Sequence, residues 1–140
     1  AFLIFLLVLG ALALWGALAA ARVERRFPPT GIFVPVTGGR LHLRDIAPRA
    51  GGTVGPERTI VMLHGASCNL LALTLPLAGP LSERFRVIAI DRPGHGHSDR
   101  PGGRESASIT RQAALIAGAM AAAGAPRAIV LAHSFAGAVA

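Results

Sequence analysis

The chain of 140 residues contains no lysine; its formal charge of +7 rests on arginine, set against only seven carboxylates. Apart from Arg22, Arg25 and Arg26 the arginines are scattered, and aromatics, at 5% of the chain, do not interleave with them. A nucleic-acid surface needs clustered positive charge and stacking partners, so no nucleic acid is expected and the arginines read as ordinary surface charge. Heavy use of Ala, Gly and Pro beside an all-arginine basic set points instead to a GC-rich genome. The single cysteine, Cys68, excludes an intrachain disulfide and says little about compartment; it reads as a small, half-buried filler. There are no internal repeats and no low-complexity tracts beyond alanine enrichment.

Charge is also missing from residues 1 to 21, which include Phe2 to Val8 and Trp15. About 20 apolar residues span a bilayer core as a helix, whereas the apolar part of a signal peptide runs to about 7–15. Length therefore favours an uncleaved, single-pass anchor with the lipid bilayer as partner; Ala17-Leu18-Ala19 keeps a cleaved signal-like segment as the alternative. Arg22, Arg25 and Arg26 follow at once, and the positive-inside tendency puts that flank on the cytoplasmic side, at a bacterial inner membrane. Residues 22–30 read as a basic linker stiffened by Pro28 and Pro29. About 119 residues then remain after the apolar stretch, enough for one domain core.

That domain, residues 31–140, alternates strand and helix signals. Gly31 to Val36 and Arg40 to Ile46 are strand-like and joined by Thr37-Gly38-Gly39, a hairpin signal. Pro48 to Pro56 reads as a surface loop. Thr59 to Leu63, Val87 to Ile90 and Arg127 to Ala132 are short apolar runs, as in buried parallel strands. Between the first two lies a helical stretch from about Asn69 to Phe85, which Pro76 and Pro80 should split or delay. Ser108 is a plausible N-cap for a helix to Ala123, closed by Gly124 and Pro126, with Ile109, Leu115, Ile116 and Met120 as its apolar face. An antiparallel hairpin followed by βαβαβ is an α/β arrangement.

Each apolar run ends in a distinctive stretch. The first leads into His64-Gly65-Ala66-Ser67, the second into Asp91-Arg92-Pro93-Gly94-His95-Gly96-His97-Ser98-Asp99. The third leads into Ala132-His133-Ser134-Phe135-Ala136-Gly137, a serine among small residues between strand and helix, the layout of a nucleophile elbow. Ala132 and Ala136 stand where the usual pattern has glycine. With these three motifs in this order, residues 31 to 140 resemble the α/β-hydrolase superfamily. The resemblance implies a partial α/β-hydrolase fold behind the membrane helix, reaching as far as the nucleophile elbow.

The resemblance also implies roles. Ser134 Oγ would attack a carbonyl carbon, and the backbone N–H groups of Phe135 and Ala66 would stabilise the oxyanion. Gly65 would let the backbone turn sharply enough to aim the second donor, and Gly94 and Gly96 would permit a compact turn beside the site. His64 is expected to hold loop geometry through a hydrogen bond, and His133 to serve structure or line the pocket. His95 and His97, with Asp91 and Asp99, have spacing that suggests a metal, but the glycine pattern explains them better, and neither metal nor cofactor is expected. Asp91 belongs to the strand-end turn and is not expected as a nucleophile.

In this fold the triad runs Ser, then Asp or Glu, then His. All five histidines precede or adjoin Ser134, and six residues follow it, so the acid and the base are expected beyond residue 140. A triad of His64, Asp91 or Asp99, and Ser134 would have the order of a β-barrel protease, which the strand–helix alternation argues against. The 140 residues are expected to be the front half of an enzyme, clipped also before Ala1, with unpaired sheet edges. The expected function is a membrane-anchored serine hydrolase acting on a carboxylic ester or related small acyl substrate. A peroxidase-like or acyl-transferring member of the superfamily, and an inactive binding module on the same fold, stay open.

Overall fold

A computed structural model of the chain describes residues 2–51 and 54–140. Helix α1, Phe2–Arg26, carries no buried residue and has a mean hydropathy of 2.6 in its most apolar window, long and apolar enough to cross a membrane. It runs further than the expected apolar stretch: Arg22 to Arg26 continue it, so only residues 27–30 of the expected linker are extended chain. Arg25 and Arg26 sit in the last turn, where cations complement the helix dipole. Residue 1 of the expected anchor lies outside the described residues, as do residues 52 and 53 of the expected Pro48-to-Pro56 loop.

Strands β1 (Ile32–Val36) and β2 (Gly39–Ile46) form the expected hairpin, with Gly38 at φ 86° in its turn. β3 (Thr59–Leu63), β4 (Arg86–Ile90) and β5 (Ile129–Ala132) complete a five-stranded sheet of order β1-β2-β4-β3-β5. β2 pairs antiparallel with β4, while β3 runs parallel to both β4 and β5. Residues alternate across a strand, and here both faces are covered. Val61, Leu63, Ile88 and Ile90 pack on one side with Leu115, Ile116 and Ala119 of helix α3 (Ile109–Ala122). Ile60, Met62, Val87 and Ala89 pack on the other with Leu70, Leu73 and Ala78 around helix α2 (Leu71–Ser82).

Three details differ from the sequence reading. The two prolines do not split α2; its middle, Thr74–Ala78, widens into a π-helical turn that accommodates Pro76, and Pro80 opens the last α-helical turn. In α3 the Ser108 cap and Gly124 (φ 69°) are where expected, but Ile109 is exposed and Ala119 takes its place in the apolar face. β5 is not buried: Ile129 is 47% and Val130 40% exposed, because the strand is the sheet edge and no described element covers it.

Candidate active site

Because β3, β4 and β5 are mutually parallel through β3, all three motifs leave the sheet at the same edge. Ligands of open α/β sheets bind beyond the carboxyl ends of the strands. At the end of β5, the His133 N–H still donates to Leu63 O (3.0 Å), extending the ladder by one residue. The next residue, Ser134, stands at φ 55°, left-handed backbone that a Cβ-bearing residue rarely adopts. A tight 3₁₀ turn, Ser134–Ala138, follows in place of the start of a regular helix, and the Ala136 N–H donates to His133 O (3.1 Å). Ala136 is fully buried and Ser134 is exposed. The sharp turn therefore pushes the serine out while its small neighbour fits underneath.

The loop after β3 lies directly against this turn. A Cβ on Gly65 would come within 2.9 Å of His133 Nδ1 and 3.2 Å of Ser134 Cβ. Gly65 is required by that close approach and not, as its sequence context suggested, by a turn only glycine can make; it has no positive φ. Ser67, which sequence reasoning passed over, is the strained residue of this loop, at φ 54°. Ala66, Ser67 and Phe135 line one cleft of about 670 Å³, together with Arg92, Pro93 and His95. Among the described residues, neither the Ala66 nor the Phe135 N–H donates to a protein acceptor. Cys68, expected to be half-buried, is exposed, since this loop faces solvent.

The nine-residue stretch after β4 folds into the compact turn expected, with Gly94 at φ 73° and Gly96 at φ 53°. Asp91 is buried at its centre. Its carboxylate accepts from His42 Nδ1 (2.8 Å), Leu70 N (2.7 Å) and His97 N (3.0 Å). His42 Nε2 accepts from the Gly31 N–H (3.1 Å), which leaves the proton on Nδ1, facing the carboxylate. Asp99 closes the turn on β2, accepting from Arg40 N (3.0 Å). His95 and His97 do not converge: the ring of His95 packs on His64, and that of His97 meets His42 edge-on.

His64 is fully buried and committed at both nitrogens. Nδ1 bonds Gly65 O (2.9 Å), and Nε2 accepts from the Arg92 N–H (3.0 Å). Burial pushes its pKa below the ordinary histidine value and so favours the neutral form. His133 is exposed beside Ser134, and no histidine is hydrogen-bonded to the Ser134 hydroxyl among the described residues.

The residue sequence reasoning missed is Arg92. Read as one of many surface arginines, it is instead 1% exposed. Its guanidinium donates to His64 O (2.8 Å), Gly65 O (2.9 Å) and Gln112 Oε1 (2.7 Å), and lies 5.0 Å from the centre of the Phe135 ring. No carboxylate pairs with it among the described residues. Burial lowers its pKa, yet arginine stays charged at any pH a protein experiences. The only hint in the sequence is its place inside the Asp91–Asp99 motif.

A mixed sheet with a residue in left-handed backbone at one strand end and paired loops beside it is the arrangement of an α/β-hydrolase fold. The alpha/beta hydrolase family matches residues 60–140, more than half of the chain, and the chain belongs to that family. Solved structures agree. The enol-lactonase from Burkholderia xenovorans LB400 is 29% identical with a TM-score of 0.66, over 77% of this chain and 39% of its own. Est816, described as an N-acyl homoserine lactone degrading enzyme, is 26% identical with a TM-score of 0.63, over 77% of this chain and 38% of its own. The epoxide hydrolase VrEH1 from Vigna radiata shares the fold at 19% identity and a TM-score of 0.64, over 77% of this chain and 31% of its own. The chain thus spans less than two-fifths of the length of these proteins.

Proposed function

We propose that this chain carries the nucleophile and the oxyanion hole of a serine hydrolase for small carboxylic esters, lactones included. The observation that carries this reading is Ser134, exposed at φ 55° at the end of β5 and packed against the Gly65 loop, with the N–H groups of Ala66 and Phe135 left without a protein acceptor among the described residues. Ser134 Oγ attacks the carbonyl carbon as its proton passes to a general base; no histidine among the described residues is hydrogen-bonded to that hydroxyl. The carbonyl oxygen gains negative charge as the bond forms, and the two N–H groups donate hydrogen bonds to it. Two of the similar structures are of enzymes whose descriptions name lactones, an enol-lactonase and an N-acyl homoserine lactone degrading enzyme, and a lactone is a cyclic ester. The epoxide hydrolases, at 19% identity for VrEH1, speak for the fold alone. Superfamily members that open epoxides use an aspartate at the elbow, where this chain has Ser134.

A second element of the reading is attachment to a membrane through Phe2–Arg26, supported by its length, its hydropathy and the absence of any buried residue in it. The test of the chemistry is covalent labelling of the full-length gene product by a fluorophosphonate. Labelling is expected at Ser134 and should vanish in Ser134→Ala. Labelling that survives the substitution moves the nucleophile elsewhere and ends the proposal.

A further inference from the structure

We propose that Arg92 is a positioning residue that acts through the Gly65–Ala66 peptide, setting the direction and strength of one oxyanion-hole donor. The inference rests on the reading of Ser134 as nucleophile and of the Ala66 N–H as donor. In a trans peptide the C=O and N–H point in opposite directions, so whatever grips the Gly65 oxygen also aims the Ala66 N–H. That oxygen is gripped twice: by Arg92 Nη2 at 2.9 Å and by His64 Nδ1 at 2.9 Å. A cationic donor on the carbonyl polarises the whole amide and makes its N–H more acidic, as in any chain of hydrogen bonds. Arg92 is in no salt bridge among the described residues, the adjacent Asp91 carboxylate being turned to His42 and Leu70, and burial strengthens the effect of its charge.

The same guanidinium also touches the side chain of the residue that carries the other donor, Phe135. Its fork holds two successive carbonyls of the β3 loop, those of His64 and Gly65, while its Cζ lies over the ring of Phe135, 5.0 Å from the centre. Arg92 thereby sets the spacing between the Ala66 and Phe135 N–H groups. Gln112 steadies the far side of the fork through Nη1 at 2.7 Å. A lysine keeps the charge but cannot span both carbonyls and stack on the ring with a planar group.

The test compares Arg92→Lys, Arg92→Met and Gln112→Leu with the parent in the full-length gene product. Three quantities are read: kcat and KM for an activated ester, the fluorophosphonate labelling rate, and the amide-proton chemical shift of Ala66. Losing a whole oxyanion donor lowers kcat by about 10²–10³. Weakening one should therefore lower kcat and the labelling rate about tenfold in Arg92→Met, and less in the other two, with KM unchanged within about twofold. The Ala66 amide proton should shift upfield in the same order. Gln112→Leu leaves Arg92 in place and decides the matter if neither Arg92 variant folds. A folded variant with parent kcat, or one whose entire effect falls on KM, or an unmoved Ala66 shift, overturns the proposal. Failure of the parent itself to label at Ser134 would instead overturn the serine-hydrolase reading.

Discussion

If the elbow holds Ser134 in a conformation that suits its hydroxyl and not its Cβ, removing the Cβ should release free energy. The serine stands at φ 55°, and a Cβ-bearing residue in left-handed backbone is destabilised by about 1–2 kcal/mol relative to glycine. Glycine also loosens the unfolded chain, which offsets about 0.4–1 kcal/mol of that gain. Ser134→Gly should therefore be more stable than Ser134→Ala by about 0.5–1 kcal/mol, while both lack the hydroxyl. The alanine variant is the proper reference, because it removes the hydroxyl and keeps the strain. Urea denaturation of the two full-length variants, followed by circular dichroism, measures the difference as a shift of midpoint at constant slope. A glycine variant no more stable than the alanine variant would refute the claim that strain is stored at this residue.

Gly96→Ala should be far more damaging than Gly103→Ala. Both glycines have positive φ, 53° and 58°, but a Cβ at Gly96 collides with the Asp91 carboxylate whereas Gly103 faces open space. The left-handed penalty of about 1–2 kcal/mol applies to both, and at Gly96 a disrupted charge-assisted bond adds about 1.5–3 kcal/mol; equal melting temperatures would contradict this. Acid should destabilise the fold partly through His64. Its pKa is lowered on folding, so its neutral form stabilises above the unfolded value of about 6.5, and that contribution is lost as pH falls below it. His64→Gln, although less stable throughout, should show a shallower fall between pH 7 and 5, and an unchanged slope would show that another group titrates there. Membrane attachment predicts that the protein stays in the membrane fraction through high-salt and carbonate washing, since apolar burial is insensitive to both. A mature chain beginning near Ala20 or Ala21 by N-terminal sequencing would instead mean a cleaved signal and an exported domain.

How much of this was legible depended on whether local sequence or tertiary approach decides a position. β3 and β4 are read correctly as buried because both of their faces are apolar, and Ser108 and Gly124 announce the ends of α3 by local chemistry alone. Gly94 and Gly96 are likewise legible, since a positive φ is a local requirement. Gly65 is not: what forbids a side chain there is His133 and Ser134, some seventy residues away in sequence. β5 has the same apolar composition as β3, and only the strand order makes it an edge. Pro76 could not reveal a π-helical turn, because widening one turn and breaking the helix are alternative answers to the same missing N–H. Arg92 misled for the plainest reason: charge predicts exposure, and nothing nearby in sequence reveals three buried acceptors waiting for it.

Asp91 and Arg92 are adjacent, oppositely charged and both about 1% exposed, yet they are not an ion pair. At the end of β4 successive side chains leave on opposite sides, and each charge is used in a different direction. Asp91 turns toward β2 and α2, accepting from His42 and from the Leu70 N–H, and thereby fixes its own loop to the scaffold. Arg92 turns toward β3 and the elbow, holding His64 and Gly65 and lying over Phe135. A pairing between the two would satisfy both charges and connect nothing. Kept apart, they tie the loop after β4 to β2 and α2 on one side and to the β3 loop and Phe135 on the other, and on the reading proposed above Ser134 and the Ala66 and Phe135 N–H groups would thereby keep a fixed spacing. An oxyanion hole needs that fixed spacing, because donors that must reorganise during the reaction lose most of their advantage over water.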